Sequence, residues 1–117
     1  MKINSRASNE VTILDINGRI VLGDEIAIFK QSISTLIDSG RKRVLLNLRD
    51  VPYIDSSGIG ELVSAFTKIR NSGGELKLLN LAPKVRTLLE ITRLYTVFDV
   101  KEDEAAAILS FSTTLQM

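Results

Sequence analysis

The chain has 117 residues, 44% of them hydrophobic, and its 15 basic side chains nearly cancel its 14 acidic ones, which suits a single globular domain, residues 1–117 with a core over about 9–111. So balanced a charge supplies no field to draw in nucleic acid or an anionic membrane, and the expected partner is a protein. The absence of cysteine and histidine excludes disulfides, thiolate metal sites and Ser-His-Asp or Cys-His nucleophilic catalysis, so neither a metal nor a cofactor is expected.

The N-terminus, MKINSR, has no apolar core of signal-peptide type, and no run approaches the roughly 18 apolar residues of a membrane span. This predicts a soluble, cytoplasmic protein with no membrane insertion. Residues 2–8 form a weak edge-strand candidate, Asn9-Glu10 a turn, and residues 11–16 a strand. Asn17-Gly18 then gives the strongest short hairpin signal, which predicts that residues 19–22 return as an antiparallel partner. Gly23-Asp24 would cap a first helix, whose Ile26, Phe29, Ile33, Leu36 and Ile37 keep helical spacing until Ser39-Gly40 stops it.

The central stretch follows. Residues 44–48, VLLNL, have the content of a strand buried on both faces. Ile59, Leu62, Val63, Phe66 and Ile69 fall three or four apart, which makes one apolar helical stripe. Between strand and helix lies Asp55-Ser56-Ser57-Gly58, three good N-caps and a glycine. Its hydroxyls would sit at the positive end of a helix macrodipole, a place that favours an anion. Capping alone is the plainer role for such a segment.

Residues 71–74 break that helix and residues 75–81 supply another strand. Pro83 opens a short third helix with Val85, Leu88 and Leu89 inward. Residues 95–100 read as a last strand, and Glu102, Asp103 and Glu104 as the first turn of a final helix burying Ile108, Leu109 and Phe111. Residues 112–117 are expected to fray. The pattern is α/β: a mixed sheet with an N-terminal antiparallel hairpin, then βα units, and about four helices packed on it. Gly23-Asp24, residues 55–58 and residues 81–83 would share the edge at the carboxyl ends of the strands, where open α/β sheets work.

The hairpin glycine Gly18, VLLNL at 44–48, YIDSSGIG at 53–60 and GGEL at 73–76 together resemble the STAS domain family, in particular its single-domain bacterial anti-sigma factor antagonists, over residues 11–111. The resemblance implies that the serine after the aspartate, Ser56 with Ser57 as second choice, is phosphorylated by an anti-sigma factor that is also a serine kinase of the GHKL type. The unphosphorylated form would bind that kinase and free the sigma factor, and a metal-dependent serine phosphatase would reset it. Asp24, Asp55, Ser57, Gly58, Ile59 and Gly60 would form the partner-binding surface of a monomer or weak dimer that is not itself an enzyme. In one respect the chain departs from the family pattern: an acid often follows the Gly-x-Leu of the second strand, and here Gly18-Arg19-Ile20 is followed by Val21.

Two other readings stand beside this one. Lipid ABC transporters carry STAS subunits that dock without phosphorylation, and the full Asp-Ser-Ser-Gly-x-Gly run tilts against that class. A receiver-like aspartyl phosphoacceptor at Asp50 or Asp55 would need paired acids at the end of an early strand to hold magnesium, and only Asp15 is present there.

Overall fold

The structure is a computed structural model, and it describes residues 1–111; the fraying expected of residues 112–117 lies outside that range. Strands β1 (Lys2–Ser8) and β2 (Val11–Asn17) pair antiparallel from Lys2↔Asn17 to Ser8↔Val11. Their turn is Asn9-Glu10, with φ of 50° and 67°, the left-handed pair that fits a two-residue loop to the twist of its strands. The antiparallel hairpin therefore exists, but one strand earlier than Asn17-Gly18 suggested. Residues 19–22 are not a strand. The far edge of β2 is taken by β3 (Arg43–Asp50), which runs parallel to it, so no antiparallel partner has room there. Only Ile20 forms a bridge, a parallel one to Ile54.

The remaining elements are α1 (Asp24–Asp38), α2 (Ser56–Asn71), β4 (Glu75–Leu79), α3 (Pro83–Ile91), β5 (Val100–Lys101) and α4 (Glu104–Leu109). The five strands lie in sequence order, and all but β1 are parallel to their neighbours. Successive crossovers of one hand, all stepping in one direction, put their helices on one face. Accordingly Phe29 and Ile33 of α1, Leu62 and Ile69 of α2, and Val85 and Leu89 of α3 share a core with Leu14, Val44, Leu46, Leu48 and Leu78. The opposite face packs Val11, Ile13, Leu45 and Leu79 under Ala107 and Phe111. Strand β3 is thus buried on both sides as VLLNL predicts, and Val44, Leu45, Leu46 and Leu48 have no exposed surface. Each contributes on the order of 1.5–3 kcal/mol over an exposed counterpart.

Three expectations fail in detail. Val63 is 38% and Leu109 79% exposed; Ala65 fills the inward position on α2, and Ala107 does so on the six-residue α4. The last strand is only Val100–Lys101, because Phe98 donates to the Leu94 carbonyl (3.1 Å) and folds residues 94–98 into turns. That folding buries Phe98 edge-on against Phe66, with ring centroids 5.6 Å apart, an arrangement aromatic quadrupoles favour.

α4 is too short to hold itself, and a guanidinium clamps it to the sheet. Arg6 on β1 grips Asp15 (2.6 and 3.1 Å) and Glu104 (2.6 and 2.8 Å) in two bidentate pairs, while Asn47 donates to the same Asp15 (2.9 Å). The Arg6 hydrogen bonds hold both carboxyls below their ordinary range. A carboxyl with a depressed folded-state pKa adds stability that is complete above the unfolded value of about 4 and is lost as the pH falls through the lower folded value. The melting temperature should therefore be flat from neutrality to about pH 5 and fall below about pH 4. Exposed pairs of this kind are weak, so Arg6→Leu should cost about 1 kcal/mol, or about 4 °C in Tm, and should flatten the acid limb. Thermal melts followed by circular dichroism between pH 2.5 and 7 check both.

Candidate functional site

Because β2, β3 and β4 are parallel, their carboxyl ends open on one edge of the sheet, as predicted for the loops at 23–24, 55–58 and 81–83. Two of those loops are joined directly. Residues 18–22 run beside residues 50–55 as a loose continuation of the β2–β3 ladder. Gly18 donates to the Asp50 carbonyl (3.1 Å), Ile20 to that of Tyr53 (3.1 Å), and Asp55 back to that of Ile20 (3.3 Å).

Asp55 then takes two roles with one carboxylate. Its backbone is extended (φ −90°, ψ −176°), as an N-cap requires, and Oδ1 accepts from the Gly58 amide (2.8 Å). Oδ2 accepts from the Leu22 amide (3.0 Å). These bonds, Leu22 first and Gly58 second, hold the Asp55 carboxyl below its usual range.

The helix begins at Ser56, with the first helical hydrogen bond running from the Ile59 amide to the Asp55 carbonyl (2.9 Å). Ser56 is exposed and Ser57 half-buried. Capping is carried by the aspartate, and neither serine hydroxyl makes a hydrogen bond among the described residues. The hydroxyls expected as caps are therefore free.

The two glycines that follow differ sharply. A Cβ on Gly58 would lie 2.1 Å from the Ile20 carbonyl oxygen and 2.6 Å from Ile54 Cγ2, so only glycine lets residues 18–22 cross the start of α2 this closely. A Cβ on Gly60 would meet nothing within 4 Å. Gly60 is exposed, one turn beyond Ser56 on the same helical face. Glycine inside a helix destabilises by roughly 0.5–1 kcal/mol relative to alanine, and nothing within the described chain requires it there.

The structure thus brings Asp55, Ser56, Ser57, Gly58, Ile59 and Gly60 into one helix N-terminus, with Ile59 half-buried against the core. Asp24 is not drawn in. The N-cap of α1 is Gly23, without a side-chain cap, and Asp24 is an exposed first-turn residue with no hydrogen bond or ion pair to that segment among the described residues. The residue touching Asp55 is Leu22, which the sequence assigned to a strand. Leu22 is 74% and Tyr53 46% exposed, so two large apolar side chains lie on the paired segments flanking Ser56. Their signal in the sequence was an apolar residue directly before Gly23 and another directly before Ile54-Asp55. Among the described residues no three acidic, histidine or cysteine side chains converge to hold a metal ion. No helix there is long and apolar enough to cross a membrane.

The sequence pattern of the STAS domain family matches residues 2–107. The chain belongs to the STAS domain family. BtrV of Bordetella bronchiseptica, an inferred anti-sigma factor antagonist, is 34% identical over 83 residues, 71% of this chain and 72% of that one. The anti-sigma-B factor antagonist of Bacillus subtilis is 42% identical over 53 residues, 45% of this chain and about half (49%) of its own length. Among solved structures, an inferred anti-sigma factor antagonist of Thermotoga maritima superposes with a TM-score of 0.84 at 25% identity, covering 92% of each chain. The unphosphorylated Bacillus antagonist SpoIIAA shares the fold at a TM-score of 0.76 and 22% identity, over 92% of this STAS chain and 93% of SpoIIAA.

The glycine pair gives opposite expectations. Gly58→Ala should destabilise by about 3 kcal/mol, because backbone rather than a flexible side-chain end must move. Gly60→Ala should stabilise by about 0.5–1 kcal/mol. Urea unfolding of the two variants against wild type measures both signs.

Proposed function

We propose that this STAS domain is an anti-sigma factor antagonist switched by phosphorylation of Ser56. In the unphosphorylated form it binds an anti-sigma factor that is also a serine kinase of the GHKL type, and the sigma factor is released. Phosphate on Ser56 ends that binding, and a serine phosphatase restores it. The observation that carries the reading is the exposed, unbonded Ser56 hydroxyl on a helix whose cap is supplied by Asp55. A serine with no capping work to do is available to a kinase, and the anti-sigma factor antagonists among the relatives support the class.

The physical consequence of the modification follows from its place. A phosphoserine carries about −1.5 to −2 charges at neutral pH. At the first position of α2 it faces the positive end of the helix dipole, worth roughly 0.3–1 kcal/mol in its favour. Next to the ionised Asp55 it makes a strongly negative spot, and a partner surface shaped for a neutral hydroxyl meets repulsion and the desolvation of a dianion. The domain keeps its fold and loses its partner. Gly60 extends the same surface: a bare stretch of helix backbone lets a partner approach within van der Waals distance.

Incubation with the anti-sigma factor kinase and ATP, followed by peptide mass spectrometry, should find phosphate on Ser56 and none on a Ser56→Ala variant. Phosphate on Ser57 in wild type would move the assignment by one residue. Gly60→Ala, though it stabilises the free domain, should weaken the partner complex by roughly tenfold in calorimetry; unchanged affinity would remove Gly60 from the interface.

A further inference from the structure

The largest exposed apolar feature beside Ser56 is Leu22, and its setting is unlike that of other exposed apolar residues. Leu109 lies on α4 under the opposite face of the sheet, and Ile91 lies at the end of α3. Leu22 follows a segment whose backbone is pinned. Ile20 donates to Tyr53 and accepts from Asp55, Ile20 is fully buried, and the Leu22 amide is held by Asp55 Oδ2 at 3.0 Å. A side chain presented from a fixed backbone loses little freedom on binding, which is what makes an effective anchor. Single exposed leucines are ordinary and need no explanation. One whose backbone is held by the residue directly before Ser56 is different, because the Leu22 amide lies one hydrogen bond from the Asp55 carboxylate, next in the chain to the hydroxyl a kinase would reach.

We infer that Leu22 is a specificity-determining residue for the partner kinase, an apolar anchor that seats in a leucine-sized hydrophobic socket beside the kinase active site, with Asp55 as the positioning residue that fixes its backbone. This rests on the reading of Ser56 as phosphoacceptor. It names the chemistry of the partner surface as apolar where it meets residue 22. Tyr53, on the segment paired with residues 18–22, lies at the margin of the same contact.

The test uses the full-length chain with the purified anti-sigma factor kinase of the same organism and ATP, measuring KM and kcat for phosphate transfer to Ser56. Leu22→Ala is expected to raise KM about tenfold, leave kcat within about twofold and leave Tm unchanged. Leu22→Met should recover most of the affinity, and Leu109→Ala should behave as wild type. An unchanged KM for Leu22→Ala, or an equal rise for Leu109→Ala, overturns the anchor while the phosphoacceptor stands. If wild-type protein takes up no phosphate on Ser56, the functional reading fails and the anchor fails with it.

Discussion

The working edge of this domain depends on one close approach: the backbone of Ile20 passes so near the first turn of α2 that residue 58 must be glycine. That approach lets residues 18–22 lie alongside residues 50–55, which in turn brings the Leu22 amide to the Asp55 carboxylate. With Asp55 capping the helix, the two serines that follow are relieved of that duty. An exposed hydroxyl, a fixed negative charge and an exposed leucine are therefore assembled by main-chain geometry rather than by a pocket.

The remainder of the fold supplies rigidity behind that edge. Four parallel strands in sequence order send three crossover helices to one face, so α2 is backed by a continuous core through Leu62, Ala65 and Ile69. The opposite face is closed by the short α4, which relies on Arg6 and on Lys77, a nearly buried cation that donates to the Ser110 carbonyl (2.8 Å) and pairs with Asp99 (3.1 Å). Both clamps lie on the far side of the sheet from the three crossover helices. Ser56 thus opens a helix whose buried side is packed against the core, away from both clamps.

Much of this was legible in the residues. VLLNL could be assigned to a doubly buried strand because only a central parallel strand tolerates such a run, and Asp55-Ser56-Ser57-Gly58 marked the helix start by capping chemistry alone. What failed was non-local. Asn17-Gly18 carries a hairpin signal, but whether a chain reverses there depends on which edge of β2 is vacant, and β3, more than twenty residues later, occupies it. Asn9-Glu10, which the sequence does mark as a turn, is where the chain reverses, with the glutamate at φ 67°. Periodicity placed Val63 and Leu109 inward, whereas small Ala65 and Ala107 fill those positions. Nor could local reasoning show that the two glycines of Gly58-Ile59-Gly60 differ, the first crowded by Ile20 and the second with open space around it.

The most direct measurement is calorimetric titration of the anti-sigma factor with this protein in its unphosphorylated form and phosphorylated at Ser56, with the melting temperature of each form recorded alongside. The expected result is an affinity at least tenfold lower for the phosphorylated form, about 1.4 kcal/mol, with Tm shifted by no more than a few degrees. Equal affinity of the two forms, or loss of the folded state on phosphorylation, would contradict a switch built on charge at the helix N-terminus.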